Sequence, residues 1–246
     1  MEHTRPPVVL LHGFGQNRRC WGRLEAALYA RRDVVAVDLP GHGAAGAVEA
    51  DLWTTADLIG ATIDPEVPAA VVGYSMGGRI GLHTALATPE RVERLVLISA
   101  TAGIDDDNER DTRRRSDEAL AAHIEEVGVE QFVDEWLALP LFATLPSSSR
   151  YVDERRANSA HGLAMSLRRC GTGSQESLWS RLGELSMPVL VVAGALDHKF
   201  SALAERMVAG IGPNATLAIV GSAGHTVHLE QPAATADLIT AFLDRP

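Results

Sequence analysis

Residues 69–79, Ala-Ala-Val-Val-Gly-Tyr-Ser-Met-Gly-Gly-Arg, run from an apolar β-type stretch straight into a G-x-S-x-G pentapeptide. This feature constrains the fold more than any other in the chain. Gly73 and Gly77 let the backbone turn sharply from strand to helix, and the turn lifts the Ser75 hydroxyl clear of the sheet edge. Such a pentapeptide matches by chance in roughly one chain in ten of this length, so its flanks decide. An apolar run precedes it, and a small-residue, helix-compatible run from Arg79 to Ala87 follows.

Further short apolar runs recur at Val8–Leu11, Val34–Val37, Ala70–Val72, Leu95–Ile98, Val189–Val192 and Thr216–Val220. Most are continuously apolar rather than alternating, as in strands covered on both faces. Amphipathic stretches of helical length, such as Thr54–Ile63 and Ser201–Ala209, lie between them. Strand alternating with helix predicts an α/β fold with a mostly parallel, doubly wound sheet. The alternation stops after Ile98. From Thr101 to Ser186 only helical spacing is found, in Ser116–Val127 and Val129–Leu139, with Pro140 and Pro146 as punctuation. The expected organisation is therefore a core of residues 1–100 and 187–246, interrupted by a helical cap at 101–186. The acids Asp105–Asp107 read as a solvated helix start, where carboxylates suit the dipole.

The 246 residues, 46 % hydrophobic, suffice for a sizeable core. A formal net charge of −10 argues against a nucleic-acid binder, which needs a basic face. It leaves room for a small anionic ligand, because a pocket's local field can oppose the global sign. Cys20 and Cys170 have no C-x-x-C or metal-type spacing, and read as unpaired thiols in a reducing compartment. The N-terminal apolar run is only four residues, Val8 to Leu11, too short for a signal-peptide core or a membrane span. The chain thus reads as cytoplasmic, without membrane insertion. No P-loop, dinucleotide glycine motif or metal-ligand pattern occurs, so neither cofactor nor metal is expected.

Ser75 needs a base. His225, in Gly-Ser-Ala-Gly-His-Thr-Val-His-Leu-Glu, follows the last strand on a loop that faces the same sheet edge. His228, three residues on, is expected to pack or cap. The orienting acid should follow the preceding strand, where Asp197 ends Val-Leu-Val-Val-Ala-Gly-Ala-Leu-Asp; its alternative role is a cap for the helix beginning near Ser201. After the first strand comes His12-Gly13-Phe14-Gly15, a loop suited to donate one oxyanion-binding backbone N–H from Phe14, with a second from Met76. His12, Asp38 and His42 read as loop braces.

The chain order Ser75, Asp197, His225, with the elbow, resembles the α/β-hydrolase superfamily over nearly the whole length. Within it, the chain is similar to the 2-succinyl-6-hydroxy-2,4-cyclohexadiene-1-carboxylate synthases of menaquinone biosynthesis. The stretches that carry this narrower resemblance are Gly73–Arg79, Trp136–Phe142, Gly162–Gln175, Ser177–Trp179 and Asp197–Phe200. Departures are Ile98 in Leu-Ile-Ser-Ala where Glu is common, Glu176 where Pro is usual, and Ala195 for a frequent Glu.

The resemblance implies a lyase: a histidine–serine pair abstracts a ring proton and pyruvate is eliminated, with no acyl-enzyme and no added water. It also implies a polycarboxylate substrate bound by Arg79, Arg113 and Arg155, with Tyr74 and Trp136 lining the pocket. Arginine's fork suits carboxylates. The segment 101–186 nevertheless holds ten arginines against sixteen acids, and Glu109/Arg113 and Asp111/Arg115 have the i,i+4 spacing of ordinary surface pairs. Arg114 and Arg156 are the neighbours that could take the assigned roles. Two other classes compete: a serine esterase or carbon–carbon bond hydrolase with the same triad, and a non-catalytic binding protein on the same fold.

Overall fold

The computed structural model describes residues 5–245. Six parallel strands form one sheet in the order β2-β1-β3-β4-β5-β6. They are β1 (Val8–Leu11), β2 (Val34–Val37), β3 (Ala69–Tyr74), β4 (Val92–Ile98), β5 (Val189–Gly194) and β6 (Ala215–Val220). All six apolar runs of the sequence are strands, and the doubly wound parallel sheet is as expected.

Successive residues of each strand face opposite layers, which explains the continuous apolar runs. Val9, Leu11, Val71, Leu95 and Val191 pack against Ile59 of α2 (Leu52–Ala61), Ile80 of α3 (Met76–Ala87) and Met207 of α7 (His198–Ile211). Val8, Leu10, Val72, Val96 and Val192 pack on the other face against Leu24 and Leu28 of α1 (Arg23–Tyr29) and Phe242 of α9 (Pro232–Leu243).

The chain winds outward from β1 to β2 and then returns to β3 on the other side of β1. The loops leaving β1 and β3 therefore diverge, opening a crevice at the carboxyl ends of these strands. The loops after β5 and β6 end at the same edge. Ser75, Phe14, Asp197 and His225 lie on these four loops.

Among the described residues, no strand lies between Ile98 and Val189. That stretch folds as α4 (Asp107–Leu137), α5 (Val152–Arg156), α6 (Ala160–Cys170) and short 3-10 turns. Asp106 caps α4 by accepting from the Glu109 amide at 2.9 Å. Gly128, at φ 79°, breaks α4 between the two apolar stretches read from the sequence. The helix begins at Asp107, at the helix start expected from the acids Asp105–Asp107 and nine residues before the apolar spacing sets in at Ser116. Ile124, Phe132, Val133, Leu137, Phe142 and Leu163 form this region's own small core, against which Phe14 packs.

Candidate active site

β3 ends at Tyr74, and Ser75 occupies a strained left-handed backbone conformation, φ 51° and ψ −108°, before α3 begins. Such strain persists only when the surroundings over-determine it. The Ser75 amide donates to the Ile98 carbonyl at 2.8 Å. A Cβ on Gly77 would lie 1.9 Å from the Leu11 carbonyl oxygen, and one on Gly73 would meet the Gly77 carbonyl at 2.3 Å. Only glycine lets the start of α3 pass so close to β1.

The Ser75 Oγ lies 3.3 Å from His225 Nε2, and His225 Nδ1 lies 2.7 Å from Asp197 Oδ2. An ionised carboxylate can only accept, so Nδ1 carries the proton and Nε2 faces the serine hydroxyl as acceptor. Asp197 also caps α7, since Oδ1 accepts from the Phe200 amide at 3.2 Å. Its two oxygens thus serve the cap and the histidine at once. Burial pushes the Asp197 carboxyl upward. The His225 hydrogen bond and charge, the Phe200 amide and Lys199 outweigh that and hold it below the usual carboxylate range. Phe200 sets its ring edge-on to His225, with centroids 4.5 Å apart.

The loop after β1 is locked so as to spare one amide. Gly13 N–H donates to Gln16 Oε1 at 3.1 Å, and Gly15 N–H donates to His42 Nε2 at 3.1 Å. No hydrogen bond within the described residues engages the Phe14 amide between them, nor the Met76 amide that opens α3. His12 Nε2 accepts from the Leu39 amide at 3.1 Å, tying this loop to the one after β2. Asp38 accepts from the Arg18 and Ala44 amides at 2.8 and 3.0 Å. Burial holds both histidines uncharged, lowering His12 to about 4 and His42 to about 3.

A cavity of about 620 Å3 opens over this edge, lined among others by Phe14, Ser75, Arg79, Arg113, Trp136 and His225. Arg79 lies one helical turn beyond Ser75 and is 6 % exposed. Its guanidinium has no carboxylate partner among the described residues; its Nη1 donates to Gln175 Oε1 at 3.4 Å. Burial, together with the Arg113 charge, lowers it to about 10. Arg113 reaches the cavity but donates through Nε to Asp117 Oδ1 at 2.7 Å, pairing forward along α4 rather than back to Glu109. Trp136 sets its ring edge-on to Phe14, with centroids 5.5 Å apart.

Two of the residues expected to meet the substrate do not line this cavity. Tyr74 does not line the cavity; its side chain lies under the sheet edge, its ring beside His225 and His228, with its hydroxyl 3.2 Å from Thr226 Oγ1. Arg155 is buried behind the β1 loop, not in the cavity, because α5 packs there. Its Nε donates to the Arg150 carbonyl at 2.8 Å and Nη1 to the Gly15 carbonyl at 3.3 Å. Of the neighbouring arginines, Arg156 pairs with Asp134 and Arg114 with Asp111 at the surface. His228 packs against Trp21 and Tyr74, away from Ser75.

Other side chains at the site escaped sequence reasoning. Lys199, Phe200, Ser116, Leu120 and Leu141 reach the cavity, and Gln175 holds Arg79 from behind. Ser99, after β4, donates to the His225 carbonyl at 2.7 Å. Its place at a strand's carboxyl end was the available signal.

The sheet order, the elbow and the divergent loops define an α/β-hydrolase fold. The model of the Alpha/beta hydrolase family matches residues 8–238, and the chain belongs to that family. Among its relatives, 2-succinyl-6-hydroxy-2,4-cyclohexadiene-1-carboxylate synthase of Serratia proteamaculans (strain 568) is 33 % identical, over 100 % of this chain and 96 % of the relative. A Bacillus subtilis (strain 168) protein that bears the same name provisionally is 38 % identical, over 96 % of this chain and 89 % of the relative. The solved structure of MenH from S. aureus superposes with a TM-score of 0.91 at 32 % identity, covering 99 % of this chain and 96 % of that one.

Proposed function

We propose that this chain is a carbon–oxygen lyase that eliminates pyruvate from 2-succinyl-5-enolpyruvyl-6-hydroxy-3-cyclohexene-1-carboxylate, giving 2-succinyl-6-hydroxy-2,4-cyclohexadiene-1-carboxylate. The observation that carries this reading is Arg79, a buried cation without a carboxylate partner, in the same cavity as the Ser75–His225 pair. A buried charge is costly unless paired, and a substrate carboxylate would supply the partner. The relatives' names then specify which carboxylate-bearing molecule.

Converting a 3-ene that bears a 5-enolpyruvyl ether into a 2,4-diene removes a proton from ring carbon 2 and breaks the carbon 5–oxygen bond. His225 takes the Ser75 hydroxyl proton, and the serine oxygen takes the ring proton. The ring double bond shifts and enolpyruvate leaves, to be protonated to pyruvate. Carbon 2 bears the succinyl ketone, so negative charge grows on that ketone oxygen. The Phe14 and Met76 amides are the donors available to meet it. Asp197 fixes the histidine tautomer and balances the imidazolium. Arg79, with Arg113 and Lys199 nearer the mouth, meets the carboxylates, and the helices of residues 101–186 close over them as a cap. The two buried free thiols, Cys20 and Cys170, support a reducing, cytoplasmic setting.

A second reading, a serine esterase or carbon–carbon bond hydrolase, draws on Asp117, which already neutralises Arg113, and on the burial of Arg155 outside the cavity. Incubation with the enolpyruvyl compound, with pyruvate followed by a coupled assay, separates the two. The lyase releases pyruvate in step with substrate loss, and Ser75→Ala abolishes it. Background pyruvate release alongside fast ester hydrolysis would instead establish the hydrolase.

A further inference from the structure

His225 is held in the cavity through its ring by Asp197 and Ser75, but its backbone lies on a loop between β6 and α8 (Val227–Glu230). The Ser75–His225 distance of 3.3 Å is already at the long end for proton transfer. A small drift of this loop would open it further, and misplacement by about 1 Å can cost roughly 100-fold in rate. Something must therefore fix the peptide planes around His225.

Glu230 does so from one side. It is 8 % exposed, and its two carboxylate oxygens each accept a backbone N–H. Oε2 takes the Gly224 amide at 2.7 Å and Oε1 the Thr226 amide at 2.8 Å. These are the residues immediately before and after His225. From the other side the Ser99 hydroxyl donates to the His225 carbonyl at 2.7 Å. That carbonyl and the Thr226 N–H belong to one peptide plane, so the plane is pinned at both of its polar ends.

We propose that Glu230 is a positioning residue that, together with Ser99, sets His225 in line with Ser75. It rests on the reading of Ser75 and His225 as the proton-transferring pair. A carboxylate is required because it accepts at both oxygens. Glutamine would turn an NH2 toward one of the two amides, donor against donor, and aspartate is a methylene too short to span both. Charge-assisted bonds from buried amides are also stronger than neutral ones.

The test compares Glu230→Gln, Glu230→Asp, Ser99→Ala and Ser75→Ala for pyruvate release, for thermal midpoint, and for the rate at which a fluorophosphonate modifies Ser75. The phosphonate reports on the serine–histidine pair without using the arginines. Glu230→Gln is expected to lower kcat by about 10- to 100-fold with KM within twofold, and to slow phosphonylation by a similar factor. Ser99→Ala should show the same split to a smaller extent, and Glu230→Asp should not rescue. If Glu230→Gln and Ser99→Ala fold and lower the thermal midpoint while kcat and phosphonylation stay within twofold of the wild type, Glu230 only caps the loop and the proposal falls. Should Glu230→Gln fail to fold, the kcat-against-KM split in Ser99→Ala decides. Retained pyruvate release in Ser75→Ala overturns the serine–histidine reading itself, and with it the proposal.

Discussion

On the cavity floor the sheet edge fixes Ser75 and His225 through backbone hydrogen bonds, whereas in the helices of residues 101–186 most of the charged groups are placed by side-chain pairing. Ser75, Asp197 and His225 sit at strand ends: the Ser75 amide donates to Ile98, the Asp197 carboxylate accepts from the Phe200 amide, the His225 carbonyl accepts from Ser99, and the amides flanking His225 donate to Glu230. Arg113 projects from α4, where its direction depends on helix rotation and on Asp117. Arg79 belongs to the floor and Arg155 to the roof. Both are buried without a carboxylate partner among the described residues, yet one faces the cavity and the other binds main-chain carbonyls. Burial without a carboxylate partner therefore does not by itself mark a substrate-facing arginine; what the guanidinium faces does.

The contrast can be broken most forcefully at Arg79. Arg79→Ala should lower kcat/KM on the polycarboxylate by about 100-fold, near the low end of what removing one partner of a buried charge pair costs. The same variant should hydrolyse a neutral aryl ester within roughly threefold of wild type, because no such charge is then to be met. Steady-state kinetics on both substrates checks this, and equal losses on the two would mean that Arg79 merely supports the elbow.

Arg113 sharpens the comparison with a smaller effect. Arg113→Ala should cost about tenfold in kcat/KM and also destabilise the fold by about 1–3 kcal/mol, since buried Asp117 loses its cation. Adding Asp117→Asn should recover stability, measured by thermal melting, without recovering activity. Recovery of both would make Arg113 a scaffold residue.

The last effect concerns pH and is read in stability, not in rate. Burial lowers His12 and His83 to about 4 and His42 and His228 to about 3, against an ordinary value of 6.5. The unfolded chain therefore binds more protons than the folded one below pH 6.5, and stability falls as pH drops from there toward 4. Asp197, held low, contributes stability that is lost only below the ordinary carboxylate range, so the decline between pH 6.5 and 5 belongs to the histidines. Thermal melts should show a midpoint several degrees lower at pH 5 than at pH 7.5, with a flatter dependence in His228→Phe. A flat profile in the wild type would show that these rings are not buried neutral.

The same division between floor and roof governs what the sequence discloses. The strands were legible because both faces are covered, which leaves unbroken runs such as Val189–Val192 between turn signals. The elbow was legible because close backbone approach demands glycine at 73 and 77. The partners of Ser75 followed from strand order. The start of α4 was marked by the acids Asp105–Asp107, whereas the inward or outward aim of Tyr74 and Arg155 depends on packing that no residue spacing encodes. Glu230 was invisible for a related reason. A glutamate five residues beyond His225 looks like any helix-surface acid until its oxygens are found on the Gly224 and Thr226 amides.

The central claim is that Ser75 carries a proton and forms no acyl bond. Its most direct test uses the enolpyruvyl substrate deuterated at ring carbon 2, with pyruvate release timed and the intact protein weighed after rapid quenching. Proton transfer through Ser75 predicts a primary isotope effect clearly above unity and an unmodified protein mass during turnover. An adduct on Ser75 with no isotope effect would contradict it.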